Sequence, residues 1–156
     1  MVIRTEGTVF VKPKARGLRA LPKSAALCVA AVFAGVLVGC VTLKDAPNMA
    51  PLNVSWEWKP SDNCTKQSPA FTIASIPADT KTLDFKMVDL DVPSFNHGGG
   101  TVAYSGSGSI PAGAFLYTGP CPPSGVHRYE FTVTAINAAG DTALGRGKAV
   151  RTFPPR

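Results

Sequence analysis

Two pairs of polar side chains stand where apolar alternation begins or ends. Asp89 and Asp91 follow the run Leu83, Phe85, Met87, and His127 and Tyr129 precede the run Phe131, Val133, Ala135. Residues two apart in an extended chain point to one face, so each pair is expected to present its two groups together. A histidine cation and a phenol donate hydrogen bonds to an anion such as phosphate, while a carboxylate orients the histidine or accepts from an amine. His97, the other histidine, lies on a connecting segment four residues after Pro93. Arg128 alternates to the opposite face and is expected in an ion pair that supports the fold. A solvated turn accounts for Asp-x-Asp-x-Pro just as simply, and His127 alone can cap a strand.

Enzyme constellations are absent. The serines and glycines at 105–109 do not form a Gly-x-Ser-x-Gly elbow, and no Walker loop, paired His-x-x-x-His or Rossmann fingerprint occurs. Metal-assisted hydrolysis using His97, His127 and the aspartates is poorly served, because the histidines are far apart in sequence and neither Cys64 nor Cys121 has a second ligand at zinc spacing. Gly98–Gly100 can offer backbone N–H groups to an anion, but a mobile turn is the simpler reading. The expectation is therefore a protein with no catalytic residue, no cofactor and no bound metal.

The elements that must position these groups read as strands. Leu52, Val54, Trp56 and Trp58 alternate; so do Phe71 and Ile73, then Leu83 to Met87, then Tyr129 to Ala135. Thr101–Tyr104 is a weaker strand, and Lys148–Phe153 is expected to close the sheet. Proline and glycine punctuate the gaps, at Pro60, Pro69, Pro77, Pro93, Pro111 and Gly119–Pro123 among others. Ser105–Ser109 reads as a flexible loop. No long helical pattern occurs after the N-terminal region, which predicts an all-β domain, an antiparallel β-sandwich with few or no helices.

Charge separates the chain into parts. Residues 1–39 hold six of the 16 basic residues and one of the 10 acidic ones, so the rest is nearly neutral. That removes the main support for nucleic-acid binding, which needs basic charge on the folded domain. Ser24–Leu43 is uncharged and follows the basic stretch, the pattern of an export signal. An uncleaved anchor is the alternative, since 20 apolar residues just span a bilayer. Leu37-Val38-Gly39-Cys40 resembles the lipobox of bacterial lipoproteins, which implies cleavage before Cys40 and lipidation of its thiol. The parts expected are a signal peptide at 1–39, a lipidated cysteine and tether at 40–51, and a β domain at 52–156. By resemblance to lipoprotein sorting signals, Val41 directs the protein to the outer membrane, facing the periplasm. Of the four cysteines, Cys28 and Cys40 belong to the signal, leaving Cys64 and Cys121 for a disulfide in an oxidising compartment or for two free thiols.

Four motifs in order resemble the phosphatidylethanolamine-binding protein family, also called Raf-kinase-inhibitor-like proteins. They are Cys64-Thr65-Lys66-Gln67-Ser68-Pro69; Ile76-Pro77-Ala78-Asp79-Thr80-Lys81-Thr82-Leu83; Asp89-Leu90-Asp91-Val92-Pro93 with His97; and Gly119-Pro120-Cys121-Pro122-Pro123-Ser124-Gly125-Val126-His127-Arg128-Tyr129. The resemblance spans residues 58–137. It implies a β-sandwich with a small anion pocket at one end, which binds phosphate-type groups such as lipid headgroups, or a protein partner, and catalyses nothing. Matched by motif, the ligand-binding residues are Asp89, Asp91, His97, His127 and Tyr129. The pattern departs at Gly98–Gly100, where the family has an apolar strand, and again after Asn137, where the family continues through another strand and a C-terminal helix. A competing resemblance, Leu52-Asn53-Val54-Ser55-Trp56 and Tyr129 to Gly140, is to fibronectin type III modules and implies a structural or adhesive sandwich without a pocket.

Overall fold

The computed structural model describes residues 42–155. The expected signal peptide, the lipidated Cys40 and the sorting residue Val41 lie outside the described residues. Eight strands run in the order β1 (Lys44–Pro51), β2 (Asn53–Trp56), β3 (Phe71–Ala74), β4 (Thr82–Asp89), β5 (Gly99–Ala103), β6 (Ser109–Ile110), β7 (His127–Ile136) and β8 (Thr142–Phe153). One sheet has the order β1-β8-β7-β4-β5 and the other β2-β3-β6. Among the described residues the only helical element is a single 3-10 turn at Pro60–Asp62, so the all-β expectation holds.

Alternation dictates which side chains meet between the sheets. Leu83, Phe85 and Met87 of β4 and Tyr129, Phe131, Val133 and Ala135 of β7 are buried, as are Trp56, Phe71 and Ile73 opposite them. Phe131 stands at the centre, edge-on to Trp56 at 5.1 Å and to Phe71 at 4.9 Å between ring centroids. Such edge-to-face pairs add about 0.5–1.5 kcal/mol each beyond the burial of their area. The register of β4 against β7 places Phe85 opposite Val133, Met87 opposite Phe131 and Asp89 opposite Tyr129. Asp89 thus continues the buried row of β4, and Tyr129 and His127 end the buried row of β7. The apolar core turns polar at this end of the sandwich.

Three expectations are corrected. Lys44–Pro51, read as a tether, is the edge strand β1, which pairs with β8 in parallel, so the sheet is not wholly antiparallel. Its polarity and prolines suit an edge, where one side of the backbone needs no partner. The register slips between Asp45 and Ala50, around Pro47, and Asp45 makes a two-pronged ion pair with Arg146 at 2.7 and 3.1 Å.

Gly98–Gly100 is not a mobile turn. Gly99 and Gly100 open β5 and pair with Lys86 and Phe85. A Cβ on Gly99 would lie 1.8 Å from the Phe85 carbonyl oxygen, and one on Gly100 would lie 2.5 Å from Cβ of Phe115. These glycines are required by close approach, and they supply the strand that the family resemblance calls for at this point. The end of the Ser105–Ser109 loop is likewise drawn into a strand, since Ser109 and Ile110 form β6 against β3.

Candidate ligand-binding site

At the polar end of the core lies a cavity of about 300 Å³ lined by Asp89, His97, His127 and Tyr129, with Val92, Phe95, Cys121, Pro122 and Pro123 completing its wall. Four of the five residues expected to bind ligand are therefore together. The strand pairing of Asp89 with Tyr129 sets their side chains on one face, and His127, two residues before Tyr129, shares it.

Asp91 is not among the cavity-lining residues. Alternation fails there because β4 ends at Asp89, whose Oδ1 accepts the N–H groups of Asp91 at 2.8 Å and Val92 at 3.1 Å. This is a side-chain-closed turn of the kind aspartate favours. Asp91 then turns toward Arg128, accepting from its Nη2 at 2.9 Å, its Nε at 3.3 Å and its backbone N–H at 2.7 Å. Arg128 supports the fold through this exposed pair, and the guanidinium holds the Asp91 carboxyl below the usual range.

The second carboxylate oxygen of Asp89 meets Nδ1 of His127 at 2.7 Å. Burial by itself raises the Asp89 pKa, but the bonds from His127 and from the two turn amides together outweigh it and hold the carboxyl below its ordinary value. Asp89 is therefore an anion at neutral pH. An anion only accepts, so Nδ1 of His127 carries the hydrogen.

His97 is buried, 4% exposed, and its Nδ1 lies 2.7 Å from the Thr118 carbonyl oxygen. Its ring meets Tyr129 edge-on at 5.4 Å and is flanked by Phe95 at 4.6 Å. The Thr118 backbone N–H in turn donates to the His97 carbonyl at 2.9 Å, so this histidine is fixed from two sides. Phe95 was not singled out in the sequence; its place two residues before His97, on a segment that must turn back toward β5, was the available signal.

Tyr129 is fully buried, and its hydroxyl has no hydrogen-bond partner among the described residues. The Asp89 carboxylate and the Cys121 backbone N–H both lie close enough to act on the ionisation of this phenol. Burial, then the Asp89 charge, pushes the phenol well above its ordinary pKa, so it keeps its proton.

The far wall, Pro120–Pro123, is tied down by a disulfide between Cys121 and Cys64, with Cα atoms 4.6 Å apart. The Cys64 N–H donates to the Pro120 carbonyl at 2.8 Å and strengthens the same link. Among the described residues no three His, Cys, Asp or Glu side chains gather as a metal site.

No protein-family model matches the chain. It is 31% identical over 117 residues to a UPF0098 protein of Methanothermobacter thermautotrophicus, an alignment that spans 67% of this chain and 71% of that protein. Its fold is similar to the crystal structure of CT736 of Chlamydia trachomatis, a phosphatidylethanolamine-binding protein homolog, with TM-score 0.54 and 18% identity over 70% of this chain and 99% of that one. It is similar also to YbcL of E. coli, described as a member of the mammalian PEBP family, with TM-score 0.53 and 14% identity over 67% and 99% of the two chains. These likenesses, with the cavity itself, displace the fibronectin type III reading, which has no pocket.

Proposed function

Because the chain belongs to the phosphatidylethanolamine-binding protein family, we propose that its β domain is a non-catalytic receptor for a small phosphate-type anion, held by His97, His127 and Tyr129 with Asp89 orienting His127. The observation that carries this reading is the Tyr129 hydroxyl, buried without a partner in a cavity that also holds two histidines and one carboxylate. A buried hydroxyl left unsatisfied costs about 1–3 kcal/mol, which an anion oxygen offsets by accepting from it. The names of the two structural neighbours supply the ligand class, a phospholipid headgroup or its free counterpart. Asp91 serves the site at one remove, by fixing the turn after Asp89.

The protein is further proposed to be an exported lipoprotein anchored through Cys40. Leu37-Val38-Gly39-Cys40 and the uncharged segment before it support this, and so does a Cys64–Cys121 disulfide, which persists in oxidising compartments. Val41 favours the outer membrane. Radiolabelled palmitate fed to expressing bacteria is expected to label the protein, and Cys40→Ser to abolish the label; equal labelling of both would contradict the anchor.

Calorimetric titration of the purified protein with phosphate and with phosphoethanolamine at pH 6, beside a His127→Ala variant, tests the receptor. Saturable binding lost in the variant is expected. Equal binding by both proteins would place the anion elsewhere, and no binding by either would leave the fold as scaffold only.

A further inference from the structure

We propose that anion entry into this cavity is coupled to proton uptake at Nε2 of His97 and His127. The inference rests on the receptor reading above and follows from two hydrogen bonds. Nδ1 of His97 faces a backbone carbonyl at 2.7 Å, and Nδ1 of His127 faces the Asp89 carboxylate at 2.7 Å. Neither partner can donate. Both Nδ1 atoms therefore carry hydrogen, and in the neutral rings both Nε2 atoms are lone-pair acceptors.

Nε2 is then the only ring nitrogen left for a ligand in either histidine. A sulfate or a phosphodiester presents only acceptors, so two neutral imidazoles would meet its oxygens acceptor to acceptor. Tyr129 is the one donor the lining side chains offer without a change of protonation. Charge points the same way: with both rings neutral the lining carries the single negative charge of Asp89, and with both rings protonated it carries one net positive charge.

Among the described residues no other group around the two rings would take up the proton instead. From β4 and its turn, Asp89 touches His127, and Asp91 acts on it through space while bound to Arg128. From β7, Tyr129 lies beside both rings and keeps its proton, and Arg128 points to Asp91. From the wall opposite, Cys121 is disulfide-bonded and Pro122 and Pro123 carry no proton to exchange. His97 is bounded by Phe95, Tyr129 and the Thr118 carbonyl.

Sulfate, which does not titrate near neutrality, is the probe. Its affinity for the purified protein, measured by calorimetry in buffers of differing ionisation enthalpy, is expected to rise roughly tenfold or more from pH 8 to pH 6, with net proton uptake. Glutamine offers an N–H that does not titrate, so His97→Gln and His127→Gln are each expected to lower the number of protons taken up. An Asp89→Asn variant serves as an independent check. Its side-chain N–H can donate to Nδ1 and turn neutral His127 so that Nε2 carries the hydrogen, and sulfate binding at pH 8 should then be tighter than in the parent protein. Sulfate affinity constant within twofold from pH 6 to pH 8 would overturn the coupling and leave the receptor reading intact. No sulfate or phosphate binding at any pH would overturn both.

Discussion

The carboxylate of Asp89 is shared between two tasks: Oδ2 takes the Nδ1 hydrogen of His127 at 2.7 Å, while Oδ1 closes the turn that follows β4. One residue thus ends a strand, orients the histidine and sets the charge of the cavity. Its removal is felt in folding as well as in binding.

Asp89→Ala should destabilise the protein by about 1–3 kcal/mol, the cost of leaving polar groups unsatisfied at a largely buried position. The pH dependence has a definite sign. Because the folded state holds this carboxyl below its ordinary value of 3.8, its contribution is present above that value and lost as pH falls through the lower folded one. Urea melts of parent and variant at pH 7 and at pH 2.5 check this: the gap should narrow in acid, and a gap that widens contradicts the assignment.

Tyr129→Phe separates binding from packing. The ring meets Trp58 edge-on at 6.1 Å and is fully buried, but its hydroxyl has no hydrogen-bond partner among the described residues. Stability should not fall, and should rise by up to about 1–3 kcal/mol, since the variant sheds the cost of an unsatisfied buried hydroxyl. Phosphate affinity should fall severalfold. A variant that melts much earlier, or binds unchanged, would show the hydroxyl to be structural or idle.

The sequence made four of the five cavity expectations legible, three of them because they depend on period two. His127 and Tyr129 lie within β7, and Asp89 is the last residue of β4, so alternation holds for all three. It fails for Asp91 because the strand has already ended, and nothing in Asp-x-Asp-x-Pro says at which aspartate. His97 was placed by resemblance alone, since its burial depends on Thr118, far along the chain. β1 was hidden because a polar, proline-bearing edge strand and a linker have the same composition. Gly98–Gly100 misled for a related reason: glycine marks both loose turns and tight approaches, and only the carbonyl of Phe85 shows which applies.

Gly99→Ala tests that tight approach. The added methyl meets backbone, which cannot swing aside as a side chain can, so β5 must shift away from β4. A loss of roughly 1–3 kcal/mol is expected, in the range of overpacked core substitutions. Gly98→Ala faces open space and carries strain only from its φ of +73°, so it should cost less. Thermal melts that rank the two in the opposite order would contradict the close packing of β5.

The disulfide gives a prediction for the cavity wall. Cys64 and Cys121 are 57 residues apart, a separation at which a cross-link contributes about 2–4 kcal/mol. Cys64→Ser with Cys121→Ser should lower stability by that order and weaken anion binding, because Pro120–Pro123 lose their tether. A thiol count under denaturing, non-reducing conditions that finds both cysteines free would remove the basis for this expectation.

The central claim is that one anion is held jointly by His97, His127 and Tyr129 at the end of the core. Nitrogen-15 histidine labelling tests it most directly, by following the ring nitrogens of both histidines while phosphate is added to the purified protein at pH 6. Saturable shifts at both Nε2 atoms, with one shared dissociation constant and weakened by Tyr129→Phe, are predicted. Rings unmoved at millimolar phosphate, or moved with unrelated constants, would contradict the account.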